Sequence, residues 1–153
     1  MVEWRFRDAT EEDFEPLLAI RIDVMREHLE RVFRYEPERA RRFFRAAFDE
    51  PGMRLIRVGG ERAGCVAFRP GDEAIQLDSF YLARRFQNLG LGAVILDALL
   101  AEGDALGKPV RLGVLIGSKA DRFYLRHGFV KVREDEIEGY YERPPPSINP
   151  AAT

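Results

Sequence analysis

The segment from Ala74 to Leu106 most constrains how this chain can fold, because strand, glycine loop and helix patterns follow one another directly. The run Ala74–Leu82 carries the apolar and aromatic residues typical of a strand. After the loop Gln87–Gly92, apolar residues recur at helical spacing, at Leu91, Val94, Ile95, Ala98, Leu99 and Leu106. This arrangement directs backbone N–H groups and the positive end of a helix dipole towards an anion. Gly90 and Gly92 lack the Cβ atoms that would hold a phosphate away from the backbone.

Two common phosphate-binding motifs do not fit this loop. A Walker A loop requires Gly-Lys-Ser/Thr, which is missing, and the dinucleotide fingerprint G-x-G-x-x-G fails at Ile95. The loop instead resembles the Q/R-x-x-G-x-G/A pyrophosphate loop of the GCN5-related N-acetyltransferase (GNAT) family, with Gln87, Gly90 and Gly92 at its defining positions. For the loop alone, an ordinary tight turn between strand and helix remains the alternative.

A second segment, about thirty residues further on, resembles another signature of the same family. Ser118 and Asp121 predict a capping box at the start of a short helix, Gly128 its end, and 129–132 a strand. The family signature A-x-x-(L/F)-Y-x-x-x-G-F is met by Ala120, Phe123, Tyr124, Gly128 and Phe129. Because the two signatures occur in the family's order and at its spacing, together covering about 74–132, we interpret the chain as similar to this family.

Length and composition fit one globular domain. We predict a single domain at 1–143 and a proline-rich, extended tail at 144–153 of the 153 residues. A net charge of −2 with interspersed signs argues against a general nucleic-acid surface and against a polybasic membrane patch. No apolar run approaches the roughly 18 residues of a membrane span, and the first residues lack a signal-peptide pattern. The single cysteine, Cys65, fits a buried small apolar residue in a strand and a reducing compartment, so we expect a cytoplasmic protein.

The rest of the chain supplies further strands and helices. Apolar–polar alternation and helical spacing predict strands at 2–7, 54–58, 63–68, 110–115 and 136–142, and helices from Thr10 to Arg31 and from Pro37 to Phe48. The resulting order is β-α-α-β-β-β-α-β-α-β-β. Composition alone indicates only an α+β (mixed α/β) class. The resemblance implies a three-layer fold, with a twisted, mixed, mostly antiparallel sheet that is splayed at its centre and covered by helices on both faces.

The resemblance also implies transfer of an acyl group, acetyl in the first place, from coenzyme A to a primary amine by direct attack in a ternary complex. Main-chain groups of Phe80, Tyr81 and Leu82 would pair with the pantetheine arm of acetyl-CoA. The pyrophosphate would bind to Gln87, Asn88, Leu89, Gly90, Leu91, Gly92 and Ala93. Further cofactor contacts would come from Ser118, Lys119 and Tyr124.

The reaction needs a base for the amine and an acid for the leaving thiolate. An amine of pKa ~10.4 is neutral in only about one molecule in 2,500 at pH 7, so a base removes a handicap of about 4–5 kcal/mol. Family positions for the base align with Gln76 and Asp78, of which only Asp78 can accept a proton; a hydrogen-bonded structural carboxylate is the alternative. Tyr124 occupies the family's general-acid position. Residues expected near the acceptor amine are Glu27, His28, Tyr35, Gln76 and Tyr140.

Several points stay open at this level. The family often has Asn at the position of Gly117, so cofactor contacts from that loop are in doubt. A non-catalytic acyl-CoA sensor of the same fold and a generic nucleotide-binding domain are the rival functions. The acceptor is a small-molecule or protein amine of unknown identity, a homodimer through the last strand or the helix pair is compatible with the sequence, and no metal site is predicted.

Overall fold

The computed structural model describes residues 3–32 and 34–146, and its element order agrees with the predicted one. The strands are β1 (Trp4–Asp8), β2 (Met53–Val58), β3 (Glu61–Pro70), β4 (Ile75–Leu82), β5 (Val110–Leu115), β6 (Val130–Glu134) and β7 (Glu138–Arg143). The helices are α1 (Phe14–Val32), α2 (Pro37–Asp49), α3 (Leu91–Leu106) and α4 (Ala120–Arg126). Val2 and residues 147–153 of the predicted tail lie outside the described residues, so the tail boundary stays a prediction.

All strands join one sheet in the order β1-β2-β3-β4-β5-β7-β6, and its neighbours are antiparallel except for β4 and β5. These two strands pair only through Ile75 with Val110 and Gln76 with Arg111. Beyond that point they separate, and we call the gap between 77–82 of β4 and 112–115 of β5 the wedge. The predicted mixed, mostly antiparallel sheet with a splayed centre is therefore confirmed.

Helices cover both faces of this sheet, which confirms the three-layer architecture. One buried cluster joins α1 and α2 to the sheet through residues such as Phe14, Phe44 and Leu55. The other joins α3 and α4 to the opposite face and includes Ile95 and Leu99. Apolar burial at about 25 cal/mol per Å² is the main favourable term for both layers. In the described ranges, no helix combines the length and the apolar composition that crossing a membrane requires.

Strand β4 carries a bulge where it approaches the wedge. The register with β3 shifts between Cys65 and Ala67, and Ser79 has a φ of +51°. Gly64 of β3 lies so close to this bulge that an added Cβ would be 1.9 Å from the carbonyl oxygen of Tyr81. Only glycine fits there, so the residue choice at position 64 sets how closely β3 and β4 approach.

Cys65 beside the bulge is fully buried, as predicted, and its Sγ donates to the carbonyl oxygen of Ser79 at 3.2 Å. Burial raises the pKa of the Cys65 thiol to about 12, despite a backbone hydrogen bond that acts in the other direction. A thiol in this state is a packing group rather than a nucleophile.

Helix starts agree with the sequence signals in two of three cases. The backbone N–H of Thr10 donates to Asp13 Oδ2 at 2.8 Å in the turn that leads into α1, and Pro37 occupies the first turn of α2. The predicted capping box at Ser118 does not form. A tight turn closed by a hydrogen bond from Ser118 N–H to Leu115 O precedes α4, so the helix begins one residue later and its N-cap is Lys119. Ser118 Oγ accepts from the N–H of Ala120 instead of capping the helix.

Candidate active site

A cavity of about 630 Å³ lies between the helix pair α1 and α2 and the wedge. Its apolar walls come largely from both helices and from β4 and β5. Its polar and charged groups come from α1, α2 and the segments flanking α2, and also from β3, β4, β7 and the segment that leads into α4. Of the residues predicted for the site, the cavity brings together Tyr35, Asp78, Phe80, Tyr81, Ser118 and Tyr124. The fold therefore gathers, around one space, side chains that lie up to about ninety residues apart in the sequence.

The glycine loop leads from β4 into the first turn of α3. Gly90 is the N-cap of α3, with a φ of +78°, and Asn88 also has a positive φ, of +61°. The first hydrogen bond of the helix runs from Val94 N–H to Gly90 O at 3.3 Å. The N–H groups of residues 88–93 donate to no acceptor within the described ranges. A helix N-terminus with free N–H groups is a ready site for an anion such as a pyrophosphate.

Space in front of the loop is open. An added Cβ at Gly90 would have no neighbour within 4 Å, and at Gly92 it would make only ordinary contacts, of 3.7 Å or more, with Phe123 and Leu82. The side chain of Gln87 donates from Nε2 to the carbonyl oxygen of Leu82 at 2.8 Å, which ties the loop to the end of β4. The residues present thus fit a diphosphate at the loop.

Within the described part of the chain, the edge of β4 that faces the wedge has no strand partner beyond Gln76. Ala83 N–H donates to Ala63 O at 2.8 Å on the β3 side. Because successive pairs of an antiparallel ladder alternate, the N–H and C=O of Leu82 point away from β3 and towards the wedge. This edge can therefore bind an extended, amide-bearing chain as an added strand would.

Tyr124 lies on α4 with its ring in the core, edge to face with Phe123 and Phe129 at centroid distances of 5.2 and 5.5 Å. It is 9% exposed and lines the cavity. Burial raises the pKa of the Tyr124 phenol well above its ordinary value, and the nearby Tyr81 adds to the effect. The hydroxyl therefore stays protonated at neutral pH, as a proton donor must.

Asp78 is the carboxylate that β4 contributes to the cavity. Its Oδ1 accepts from Arg69 Nη1 at 2.7 Å, and its side chain is 39% exposed. Arg69 also donates to the carbonyl oxygens of Ala47 and Pro51, at 2.5 and 2.9 Å, so it holds the end of α2 against the sheet. Asp78 is thus held in a defined orientation while part of its carboxylate remains accessible.

Other predicted site residues lie outside the cavity lining. Glu27 is exposed, and His28, which is not part of the cavity lining, is 3.3 Å from Arg31. Gln76 pairs with Arg111 where β4 and β5 still touch, and Lys119 is exposed. Tyr140 donates to Asp135 at 2.7 Å; this hydrogen bond, together with burial, raises the pKa of Tyr140 to about 12. The roles given to these residues stay predictions.

Gly117, where the family often has Asn, stands in a turn with a φ of +84°. An added Cβ would lie 3.2 Å from the guanidinium of Arg31, which donates to the neighbouring Ile116 carbonyl at 3.0 Å. Glycine at this position therefore leaves room for the side chain of Arg31, which links α1 to this loop. Of the two predicted substitutes, Ser118 lines the cavity and Lys119 does not.

Sequence reasoning missed many of the residues that line the cavity, among them Arg21, Phe43 and Glu138. Arg21 on α1 is 4% exposed and lines the cavity together with Phe43, which is 63% exposed. Glu138 on β7 lines it from the other side, and its Oε2 would be 3.1 Å from a Cβ on Gly113 of β5. Arg21 could have been noticed, since it falls on the apolar stripe of α1. The position of Glu138 at the cavity could not, because it depends on which strands are neighbours in the sheet. Among the described residues, no group of three or more His, Cys, Asp and Glu side chains could hold a metal ion.

Three solved structures share this fold along nearly their whole length. The PaiA N-acetyltransferase from Thermoplasma acidophilum, in complex with coenzyme A, is 15% identical, with a TM-score of 0.75 over 93% of this chain and 99% of that chain. An acetyltransferase from Thermus thermophilus is 22% identical, with a TM-score of 0.72 over 92% and 96% of the two chains. Ard1 from Thermoplasma volcanium is 19% identical, with a TM-score of 0.70 over 94% and 99%. At these identities the likeness establishes the fold alone.

Sequence comparison supplies the family. None of the functionally curated proteins is similar enough in sequence to count as a relative. The model of the acetyltransferase (GNAT) family, however, matches residues 17–129, which is most of the chain and includes both predicted signatures. The predicted cofactor, acetyl-CoA, is the one this family uses. The chain therefore belongs to the acetyltransferase (GNAT) family.

Proposed function

We propose that this protein is an acyl-CoA-dependent N-acyltransferase that moves an acetyl group from acetyl-CoA to a primary amine by direct attack in a ternary complex. One observation carries the proposal: free N–H groups of residues 88–93 adjoin an unpaired strand edge that leads into the cavity containing Tyr124. An anion site, a free strand edge and a buried acid thus follow one another in the same order as the pyrophosphate, the pantetheine arm and the thioester of acetyl-CoA.

Binding of the cofactor rests on the backbone. The N–H groups of residues 88–93 hold the pyrophosphate, and charge-assisted hydrogen bonds at about 1.5–3 kcal/mol each are sufficient for micromolar affinity. The free edge of β4, at Phe80, Tyr81 and Leu82, pairs with the pantetheine amides. Acetyl-CoA supplies an acyl group that its thioester bond activates. The Leu82 N–H, directed into the wedge, stabilises the negative charge that develops on the thioester oxygen.

Two side chains move the protons. Asp78 takes a proton from the acceptor amine, directly or through water, so that nitrogen can attack the acyl carbon. As the carbon–sulfur bond breaks, Tyr124 gives its proton to the departing thiolate. An unperturbed phenol is a weaker acid than an unperturbed thiol by about 1.5 pKa units, roughly 2 kcal/mol. Burial raises the pKa of the Tyr124 phenol, and it raises the pKa of a buried thiol too, as Cys65 illustrates, so the two shifts act in the same direction and offset each other in the proton transfer.

The test combines binding and turnover on the full chain. Calorimetry compares coenzyme A with ATP and NAD, and thiol release from acetyl-CoA is followed with a panel of amines. Tyr124→Phe is expected to lower kcat by about 10²-fold or more, with coenzyme A affinity nearly unchanged. Tyr141→Phe is the matched control, because Tyr141 is a buried tyrosine outside the cavity lining, and it is expected to retain activity.

Each result separates this proposal from a rival. Tight ATP or NAD binding without coenzyme A binding would refute the acyl-CoA site and favour a nucleotide-binding domain. Coenzyme A binding with no thiol release for any amine would refute the enzyme and favour a sensor. Equal activity of the two tyrosine variants would remove Tyr124 as the acid.

A further inference from the structure

Arg21 stands out among the charged residues of the described structure because it is buried without a counterion. It is 4% exposed, and its one hydrogen bond runs from Nε to the Tyr81 hydroxyl at a long 3.4 Å. Neither Nη1 nor Nη2 donates to any described residue. Of the fully buried side-chain nitrogen and oxygen atoms described, Nη1 is the one without a partner.

Two other charged groups with little exposure in the described structure are paired, as buried charges must be. The fully buried carboxylate of Asp13 receives hydrogen bonds from both Arg7 and Arg62. Arg69 in the cavity wall has Asp78 and two backbone carbonyls. Arg21 has no carboxylate at salt-bridge distance within the described ranges, so a neutralising anion has to come from outside these residues.

The surroundings of Arg21 orient it towards the cavity. Its guanidinium carbon is 5.0 Å from the ring centroid of Phe43 and 5.9 Å from that of Tyr81. Packing against aromatic rings fixes the plane of a guanidinium and leaves its N–H edge free for a planar, bidentate acceptor. Arg21 lines the same cavity as Asp78 and Tyr124.

We propose that Arg21 binds the carboxylate of the acceptor, so that the acceptor is a small amino acid and not a polyamine or a simple alkyl amine. This inference rests on the proposed function. Carboxylate and guanidinium match in geometry and charge, and a buried, desolvated pair is stronger than an exposed one.

Charges on the opposite wall support the same substrate class. Asp78 on β4 and Glu138 on β7 line the cavity, and the carboxylate of Glu138 has no cationic partner among the described residues. Other charged residues of the lining form ion pairs with each other, Arg39 with Glu36 and Arg69 with Glu50, and Arg34 is exposed. The buried cation on α1 and the carboxylates on β4 and β7 suit a molecule with a carboxylate and an amine. The apolar lining from Met25, Leu29 and Phe43 suits an apolar side chain.

The experiment compares matched amines with acetyl-CoA at saturation. L-leucine, L-methionine and L-phenylalanine are each tested against the corresponding L-amino acid amide and against the amine that lacks the carboxyl group. The free amino acids are expected to have kcat/KM values at least about tenfold higher than their amides. In binding assays on the wild type, the amino acids but not the amides are expected to raise Tm.

The variant is Arg21→Met, which removes the charge and keeps much of the volume. It is expected to raise KM for the amino acids by about 10- to 100-fold, with KM for acetyl-CoA unchanged and the activity towards amides retained. Its Tm is expected to equal or exceed that of the wild type, since it removes an unpaired buried charge. Arg41→Gln, an exposed α2 arginine paired with Glu15 outside the cavity lining, is the control with unchanged selectivity.

The outcomes distinguish this inference from the proposed function. Transfer to amides or alkyl amines that equals transfer to amino acids, and that Arg21→Met does not alter, would overturn the carboxylate site and leave the acyltransferase standing. A large loss of Tm in Arg21→Met would mark Arg21 as a structural residue and also overturn the inference. Coenzyme A binding without transfer to any amine would overturn both.

Discussion

Nη1 of Arg69 lies 2.7 Å from Oδ1 of Asp78, and this contact joins β3 to β4 across one wall of the cavity. The arginine fixes the carboxylate, whose side chain remains 39% exposed to the cavity. Asp78→Asn keeps the size and can still accept from Arg69, but it cannot take up a proton. We expect kcat to fall by about 10²- to 10⁴-fold, with KM for acetyl-CoA and Tm nearly unchanged.

The control for this variant is Glu102→Gln, because Glu102 is also bound to an arginine, Arg54, at 2.7 Å, but lies outside the cavity lining. Its kcat should equal that of the wild type. Glu138→Gln tests the competing carboxylate on β7. A large fall of kcat in Glu138→Gln, with none in Asp78→Asn, would transfer the role of base to Glu138.

A charge in the first turn of α3 tests the pyrophosphate site without harming the fold. A Cβ at Gly92 would make contacts no closer than 3.7 Å, so side chains fit there. An acidic residue in the first turn of a helix stabilises it, yet it repels a bound diphosphate. Gly92→Asp is therefore expected to weaken coenzyme A binding by at least about tenfold, measured by calorimetry, with Tm maintained or raised.

Gly92→Ala is the matched control, because it adds the Cβ without the charge, and it is expected to weaken coenzyme A binding clearly less than Gly92→Asp does. If Gly92→Asp also retained wild-type affinity, the loop at residues 88–93 would not be the pyrophosphate site.

Local sequence motifs made part of this candidate site predictable. Which of the remaining residues reach the cavity depends on how distant strands pair. The loop from Gln87 to Gly92 and the position of Tyr124 follow from residues adjacent in sequence, so short patterns were sufficient. Gln76 and Asp78 share one face of β4 by simple alternation, but the strands separate only after Gln76, so Asp78 alone reaches the cavity. Nothing local marks that point.

The same limit applies to the bulge and to the residues that were missed. Ser79 has a positive φ because β4 has one residue more than β3 between two paired positions. Nothing in the sequence of β4 predicts this extra residue. Glu138 reaches the cavity only because β7 inserts between β5 and β6 and Gly113 leaves room for its side chain. Strand order is a global property, set by which apolar faces pack together.

Gly64 should be the glycine least tolerant of substitution. A Cβ there would be 1.9 Å from the Tyr81 carbonyl oxygen and 2.9 Å from its carbon, and both are backbone atoms that cannot rotate away. Gly64→Ala is expected to force β3 and β4 apart, to cost about 3 kcal/mol in urea unfolding, and to weaken coenzyme A binding through the displaced β4 edge. Wild-type stability for Gly64→Ala would contradict the close approach at the bulge, with Gly92→Ala as the tolerated comparison.

Asp13 should make stability depend on pH in the acid range. Burial alone would raise the pKa of Asp13, but hydrogen bonds from Arg7, the Thr10 N–H and Arg62 lower it to about 2, against an ordinary value of 3.8. A lowered folded-state pKa gives stability that is fully present above the unfolded value and is lost as pH falls from about 4 to 2. Asp13→Asn is therefore expected to reduce the free energy of unfolding by about 2 kcal/mol at pH 7.

The difference between wild type and Asp13→Asn should shrink as pH falls and vanish near pH 2, which urea unfolding at pH 7, 4 and 3 can follow. The control is Asp49→Asn, since Asp49 is an exposed partner of Arg45 with 55% side-chain exposure, and its loss should cost less than about 1 kcal/mol. A difference for Asp13→Asn that stayed constant between pH 7 and 3 would mean that packing, and not the ionised carboxylate bridging β1 and β3, holds the start of α1 in place.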